Sequence, residues 1–411
     1  MCSSPSLTTS NGRPRESPTS LIMQEQAPIN LMRGWPSTSL LPVDLIKDAA
    51  QAALSDPNIA CDGLLYGPDP GYEPAREAIS AWLTQFYQPS EAIRAERTCI
   101  TGGASQSLGC VLSVYSDPEY TRNIWIVAPS YYLAFGILED AGFAAKMRAV
   151  PEDGEGLDLA FLAREIQKSE EAAVSSKNDR PQCKPARARA KVYKHIIYCV
   201  PTFANPSSRT MTLDRREGLV RLARRYDALL VADDVYDFLQ WPADADDAKG
   251  SHLPHTAHLP RLVDIDRQID GGAERERADG FGNACSNGSF SKIAGPGIRC
   301  GWVEGTKKFA YGVSQTYVTL SFPSIILSST DAVSRCFVVQ ACLKHMSSLF
   351  CTTLSPKMLL TQNLLVARLA PAERLPSSRQ RMSLTSSRPA SFNTISRQSF
   401  SQPTPPDTRR S

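Results

Sequence analysis

The sequence predicts an α/β protein built on a mostly parallel central sheet with helices on both faces. Short apolar strands at residues 123–128 and 228–232 lack the alternation of a half-exposed strand, which indicates burial on both faces. Helical patterns separate these strands, as they do in parallel sheets. The 411 residues are enough for one large domain and a smaller one.

The elements follow one another in a regular order along the chain. The predicted helices are 43–54, 74–86, 105–115, 131–141 and 215–226, and the predicted strands are 98–101, 123–128, 196–200 and 228–232. A Gly/Pro-rich loop covers residues 66–72. Residues 170–191 are charged and residues 243–280 are polar apart from one short apolar island, so both are predicted to be surface insertions.

Composition limits the classes of function. Apolar residues make up 42 % and charged residues 21 %, and the net charge is +3, which indicates neither a nucleic-acid partner nor a membrane-surface partner. No apolar run reaches the roughly 18 residues that span a bilayer. The first 28 residues lack a signal peptide's apolar core, and the eleven cysteines form no C-x-x-C pair. We therefore expect a cytoplasmic protein without a metal site.

The strongest chemical signal lies in residues 288–302, where Lys292 follows Ser289 and Ser291 and precedes Arg299. A lysine that forms a Schiff base needs a fixed position and a lowered pKa. A phosphate ester needs hydroxyls and a guanidinium nearby. The intervening glycines and proline allow the backbone to bring Arg299 back toward the lysine. The alternative is a Ser/Gly-rich surface loop with incidental charges.

Two further signals follow buried strands. Asp233 and Asp234 stand at the carboxyl end of one strand, the edge where ligands bind in open α/β sheets. A carboxylate there can pair with a protonated ring nitrogen, and Tyr236 and Asn205 can hydrogen-bond a phenolic oxygen of the same ring. The alternatives are that the aspartates cap a turn and that Asn205 belongs to an ordinary Asn-Pro turn.

A fourth signal is the Gly-Gly turn before Ala104 and Ser105, which leads into a helix. Backbone N–H groups at a helix N-terminus, together with a serine hydroxyl, can bind a phosphate. Tyr131 follows the next strand and can stack on a ring, although a core tyrosine is the alternative.

Taken in chain order, the phosphate loop, the stacking aromatic, the Asn, the Asp-x-x-Tyr, the Lys and the Arg resemble the aminotransferase class I/II family. These are pyridoxal-phosphate (PLP) enzymes of fold type I, and the nearest subgroup contains the 2-aminoadipate and aromatic aminotransferases. The resemblance extends from about Ile29 to Tyr317 and includes Gly34 and the loop that begins at Tyr66.

The resemblance implies a role for each matching residue. Lys292 would carry PLP and move the substrate proton, and Asp233 would pair with the pyridine nitrogen because it stands three residues before Tyr236. The remaining implied roles are the ring oxygen for Asn205 and Tyr236, stacking for Tyr131, the phosphate for Ala104, Ser105, Ser289, Ser291 and Arg299, the neighbouring subunit's phosphate for Tyr66, and the substrate pocket for Gly34.

The implied reaction is transamination between an amino acid and a 2-oxo acid by a ping-pong scheme, in a homodimer with shared active sites. Two alternatives stay open. One is a PLP-dependent lyase or decarboxylase on the same scaffold, because the cofactor motifs do not separate these reactions. The other is a PLP-binding remnant without catalysis.

The predicted domains are a flexible arm at 1–28, a segment of the small domain at 29–60 and a large PLP-binding domain at 61–317. A partial small domain at 318–375 and a disordered tail at 376–411 follow. The family places the arginine for the substrate carboxylate in the C-terminal small domain. No segment after residue 317 matches that motif, so we assign no arginine and expect a truncated or misassembled product.

Overall fold

The computed structural model describes Gly34 and residues 36–63, 65–240 and 256–316. The predicted N-terminal arm, the partial small domain at 318–375 and the tail at 376–411 lie outside the described residues. So do residues 241–255, which form part of the predicted insertion at 243–280.

The described residues form helices that alternate with strands over most of their length. The helices are α1 (Val43–Ser55), α2 (Pro57–Gly63), α3 (Glu73–Tyr87), α4 (Ala104–Tyr115), α5 (Leu133–Leu138), α6 (Leu159–Ser175), α7 (Leu213–Arg225), α8 (Leu262–Gln268) and α9 (Lys307–Ser314). The strands are β1 (Thr98–Thr101), β2 (Asn123–Ala128), β3 (Met147–Asp153), β4 (Gly156–Leu157), β5 (His195–Cys199), β6 (Ala228–Asp233), β7 (Ala284–Ser289) and β8 (Gly301–Glu304). None of these helices is long and apolar enough to cross a membrane.

The strands form one sheet in the order β1-β8-β7-β6-β5-β2-β3-β4. The central strands β7, β6, β5, β2 and β3 are parallel, whereas β8, β1 and β4 are antiparallel to their neighbours. The prediction of a mostly parallel sheet is therefore confirmed. The sequence did not indicate that β1 pairs with the distant β8, because a four-residue strand carries no signal of its partner.

Helices cover both faces of the sheet, and alternate residues of each central strand enter two different cores. On one face, strand residues such as Ile126 and Val231 pack with α4, α5 and α9. On the other face, Ile197 and Leu230 pack with α6, α7 and α8. Burying one such side chain contributes roughly 1.5–3 kcal/mol, which explains why these strands are apolar on both sides.

Polar residues that precede the helices fix where three of them begin. The side chains of Asp158, Thr212 and Thr306 accept hydrogen bonds from backbone N–H groups in the first turns of α6, α7 and α9. A cap of this kind contributes about 1 kcal/mol to the stability of a helix. Helix α7 therefore begins at Leu213, two residues before the predicted start.

The two predicted surface insertions are partly regular structure. Helix α6 continues to Ser175, and Ala173 is buried, so the first six residues of 170–191 belong to a packed helix. Within 243–280, residues 262–268 form α8, whose apolar side chains enter the core beside α7 and β7. A short helix among polar residues gave too weak a periodicity to be recognised.

Residues 288–302 also differ from the turn-rich loop that the sequence suggested. Ser289 ends β7, Lys292 lies in the short 3-10 helix Phe290–Lys292, and the chain returns antiparallel as β8 from Gly301. The chain reverses direction because β7 and β8 pair as antiparallel strands, and the glycines allow the backbones of these two strands to approach closely.

Candidate active site

Three of the predicted functional residues lie together at one edge of the sheet. Strands β5, β6 and β7 are parallel neighbours, so their carboxyl ends lie side by side. Asn205 follows β5, Asp233 is the last residue of β6, and Lys292 follows β7. This edge is where open α/β sheets bind ligands.

Lys292 is held at this edge by the short 3-10 helix that begins immediately after β7. Its Nζ donates a hydrogen bond to the carbonyl oxygen of Gly34 at 3.3 Å and lies 5.8 Å from the centre of the Tyr236 ring. Burial lowers the pKa of Lys292, and the nearby Asp233 carboxylate opposes that shift. A lysine with a lowered pKa is more often the neutral nucleophile that addition to a carbonyl requires.

Asp233 is only 8 % exposed, and its two carboxylate oxygens differ in their surroundings. Oδ2 accepts a hydrogen bond from the hydroxyl of Tyr198 at 2.7 Å. Oδ1 is buried and has no hydrogen-bond partner among the described residues. Burial raises the pKa of Asp233 to about 6, and the hydrogen bond from Tyr198 and the charge of Lys292 partly oppose this increase.

Asp234 faces the other side of the sheet, because successive strand residues point in opposite directions. Its carboxylate accepts a hydrogen bond from Ser286 and lies near the guanidinium groups of Arg261 and Arg216. Asp234 therefore belongs to a buried network of charges, whereas Asp233 faces Lys292. Of the two neighbouring aspartates, the one that faces Lys292 is Asp233, which the sequence analysis also preferred.

Asn205 and Tyr236 lie together, since the Asn205 amide donates a hydrogen bond to the Tyr236 hydroxyl at 3.3 Å. Tyr131 is half-buried and packs against the core on the face that also contains Val231. Burial raises the pKa of Tyr131, and the neighbouring Tyr236 and Asp233 raise it further. The structure therefore brings Tyr131, Asn205 and Tyr236 to the same place as Asp233.

The N-terminus of α4 lies beside Arg299, although the two are almost 200 residues apart in the sequence. The Arg299 guanidinium donates through Nη2 to the carbonyl oxygen of Gly102 at 2.7 Å. Gly103 has a φ of +105°, and a Cβ placed there would lie 3.0 Å from that Nη2. A side chain at position 103 would strain the backbone and crowd the guanidinium.

Gly301 allows β8 to approach the other two segments. A Cβ at Gly301 would lie 2.5 Å from the carbonyl oxygen of Gly288, 2.9 Å from the Cα of Gly103 and 3.3 Å from the Cα of Ser289. The loop before α4 and the strand that leads to Lys292 are therefore in contact at this one residue.

The predicted serines occupy different positions. Ser105 is exposed in the first turn of α4, directly after the half-buried Ala104. Ser289 is buried, and its hydroxyl donates to Oγ of Ser291 at 2.9 Å and accepts from the backbone N–H of Ser291 at 3.1 Å. Both hydrogen bonds of the Ser289 hydroxyl are therefore made within its own turn.

Tyr66 is the exception among the predicted residues. Its side chain is 91 % exposed and makes no hydrogen bond with any residue that the structure describes. Within the part of the chain that the structure describes, no hydrogen bond holds the Tyr66 side chain in place.

Two polar residues near the site were missed by the sequence analysis. Tyr198 is the partner of Asp233, and Asn287, directly opposite Asp233 in the sheet, donates to the carbonyl oxygen of Ala104 at 3.0 Å. Both are polar side chains within otherwise buried strands. That contrast is the signal that could have identified them.

Comparison with known proteins identifies the family of this chain. The model of the family "Aminotransferase class I and II" matches residues 29–386, so the match extends beyond Tyr317. An uncharacterized protein of Saccharomyces cerevisiae is 32 % identical over 341 residues, which are 78 % of this chain and 74 % of the yeast protein. The aromatic-amino-acid aminotransferase 1 of Thermococcus litoralis is 26 % identical over 287 residues, which are 68 % of this chain. The chain spans only about half (55 %) of that enzyme.

The fold is also found among solved structures. The α-aminoadipate aminotransferase LysN of Thermus thermophilus, solved with N-(5'-phosphopyridoxyl)-L-leucine, has a TM-score of 0.54 with this chain at 21 % identity. The match covers 82 % of this chain and 67 % of LysN. The described sheet thus has the architecture of fold-type I aminotransferases, and the chain belongs to the aminotransferase class I and II family.

Proposed function

We propose that this chain binds PLP through Lys292 and transfers the amino group of an amino acid to a 2-oxo acid. The observation that carries the proposal is the buried Oδ1 of Asp233, which has no hydrogen-bond partner among the described residues. The Asp233 carboxylate is also close enough to Lys292 for the two charges to interact. An unpaired buried carboxylate oxygen is costly, and a protonated pyridine nitrogen would satisfy it.

The other residues of the site also fit this cofactor. Asn205 and Tyr236 form a polar pair suited to a phenolic oxygen, and Tyr131 offers an aromatic face beside them. Arg299 supplies a guanidinium next to the N-terminus of α4, the combination that binds phosphate groups. Ala104, Ser105, Ser289 and Ser291 would complete the phosphate site, and Gly34 would line the substrate pocket.

PLP, when bound, supplies an electron-accepting ring that stabilises negative charge at the substrate α-carbon. Lys292 would remove the proton from that carbon and return it at the other end of the bond system, acting as the general base and acid. Its lowered pKa suits this role, because the neutral amine is the form that accepts a proton. Asp233 would hold the ring nitrogen in its cationic form.

The reaction would follow a ping-pong scheme, in which the first 2-oxo acid leaves before the second one binds. The names of the relatives support transamination, since the Thermococcus litoralis protein is an aromatic-amino-acid aminotransferase.

Spectroscopy and a single-turnover assay test the proposal together. Purified protein with PLP should show a visible absorption band that Lys292→Ala lacks. A mixture of amino acids without any acceptor should then yield one equivalent of 2-oxo acid per site. Addition of 2-oxoglutarate should start steady turnover. Release of carbon dioxide or ammonia in place of this pattern would indicate a decarboxylase or a lyase, and a band unchanged by amino acids would indicate a non-catalytic PLP-binding protein.

We further propose that the active site is shared across a homodimer, with Tyr66 reaching the phosphate of the neighbouring subunit. The support is the 91 % exposure of the Tyr66 side chain, which points to a contact outside its own chain. Hybrid dimers of Tyr66→Ala and Lys292→Ala chains test this proposal. One of the two sites in each hybrid would contain both native residues, so the hybrid should have about half the native activity. Activity no higher than that of the parent variants would contradict the shared site.

A further inference from the structure

Tyr198 is a buried tyrosine on β5 that no motif assigned to the site. Residue Tyr198 lies directly opposite Val231 in the sheet, and Val231 shares its face with Asp233 two residues later. The register therefore places the phenol on the same face as the Asp233 carboxylate, and the hydroxyl donates to Oδ2 at 2.7 Å. The rest of the side chain is packed in the core on this face.

We infer that Tyr198 is a positioning residue, which holds Oδ2 of Asp233 so that Oδ1 alone faces the ring nitrogen of the cofactor and the carboxylate stays ionised. The inference rests on the proposed function, because it assigns a role at the same site. It concerns one proton, which can lie either on the ring nitrogen or on Oδ1. A hydrogen bond from Tyr198 to Oδ2 stabilises the carboxylate and so places the proton on the nitrogen.

Tyr198 is suited to be a permanent donor. Burial and the adjacent Asp233 carboxylate raise the pKa of Tyr198 well above its usual value, so the phenol remains protonated at neutral pH. The other groups around Asp233 act in both directions. Asp237 raises the pKa of Asp233, whereas Lys292 and the backbone N–H of Val235 lower it. Among the causes that lower it, the hydrogen bond from Tyr198 is the largest.

The geometry also restricts the carboxylate to one orientation. A carboxylate whose Oδ2 is fixed cannot rotate its Oδ1 away without breaking a 2.7 Å hydrogen bond in a buried environment. No hydrogen bond of normal geometry reaches Oδ1 from the residues that the structure describes. Tyr198 thus separates the two oxygens, one bound by the protein and one directed to a ligand, in the way that outer hydrogen bonds orient a ligand-binding side chain.

The test is the ¹⁵N NMR shift of ring-labelled PLP bound to wild type, Tyr198→Phe and Tyr115→Phe. Tyr115→Phe is a matched control, because Tyr115 is equally buried and its hydroxyl donates at 2.7 Å to the carbonyl oxygen of Phe309 in the core. We expect a pyridinium shift in wild type and in the control. In Tyr198→Phe the shift should move toward that of neutral pyridine. We expect the equilibrium constant between the proton on the ring nitrogen and the proton on Oδ1 to change about tenfold.

Each outcome separates the two ideas. Wild type that binds no PLP would overturn the proposed function, whereas an identical shift in wild type and Tyr198→Phe would overturn the role of Tyr198 alone. If Tyr198→Phe folds without retaining PLP, the Asp233 carboxyl of the cofactor-free protein is followed instead by ¹³C NMR, with Asp233→Asn for assignment. A titration midpoint of Asp233 that does not rise in Tyr198→Phe would then refute the inference.

Discussion

Replacing Asp233 with Asn should stabilise the cofactor-free protein above neutral pH, although it removes a residue of the proposed site. Burial raises the pKa of Asp233 from its ordinary 3.8 to about 6. A carboxyl group whose pKa is raised by folding contributes stability that is present below pH 3.8 and lost as the pH rises through 6. At about 1.4 kcal/mol for each pH unit, the ionised carboxylate costs the folded protein about 3 kcal/mol at pH 8.

Asn is nearly the same shape as Asp, and its side-chain oxygen can still accept the hydrogen bond from Tyr198. Asp233→Asn therefore removes the charge and keeps the packing. The expected result is a difference in unfolding free energy between variant and wild type that increases by about 2.4 kcal/mol from pH 4 to pH 8, in favour of the variant. Urea unfolding of the cofactor-free proteins at both pH values measures this difference.

Asp179→Asn is a suitable control, since it removes a carboxylate that is exposed to solvent. A difference between Asp233→Asn and wild type that is the same at pH 4 and pH 8 would refute the reasoning. It would mean that Asp233 ionises as easily in the folded protein as in the unfolded chain. The buried Oδ1 would then not be an unsatisfied group that calls for a cationic partner.

Three further changes test other parts of the structure. Gly103→Ala should weaken PLP binding, measured by fluorescence titration, and should destabilise the protein by about 1 kcal/mol or more. Its control is Gly109→Ala, at a position in α4 with open space around it, which should stabilise the protein by up to about 1 kcal/mol. Equal effects of the two substitutions would argue against a strained turn at Gly103. Arg261→Ala leaves the buried carboxylates of Asp264 and Glu304 without their partner and should lower the free energy of unfolding in urea by about 3–5 kcal/mol. The control Arg221→Ala, which removes a half-exposed side chain, should lower it by at most about 0.5 kcal/mol. Similar losses in the two variants would contradict a buried network of charges. Lys184→Met removes an ammonium group that donates to three carbonyl oxygens at the C-terminal end of α4, so it should lower the free energy of unfolding by about 1–2 kcal/mol. An unchanged midpoint of urea unfolding would show that water replaces these hydrogen bonds.

The parallel core of the fold could be predicted because its signals are local. Strands buried on both faces are continuously apolar. Three of the four predicted strands form the centre of the sheet as β2, β5 and β6. Strand β7 escaped prediction because residues 284–289 are small and mostly polar, and β8 escaped it because a strand of four residues shows too little pattern. Their burial depends on partners that the sequence does not specify.

The site could be predicted in its motifs and only partly in its contacts. Lys292, Asp233 and Asn205 stand at the ends of strands, and parallel neighbours place such ends together whatever the detailed register is. The hydrogen bond between Tyr198 and Asp233 requires the register of β5 against β6 and the choice of one face. A shift of one residue would turn Tyr198 away, and local sequence does not exclude such a shift.

The pairing of β1 with β8 has a consequence for how the protein is made. Among the described strands, β8 is the only neighbour of β1, and about 200 residues separate the two. During synthesis on the ribosome, β1 therefore cannot pair with its neighbouring strand until residues 301–304 have emerged. The proposed phosphate site cannot close before almost all of the described sheet has been synthesised. Cofactor binding would thus report that the whole sheet is complete, since no shorter nascent chain contains both sides of the site.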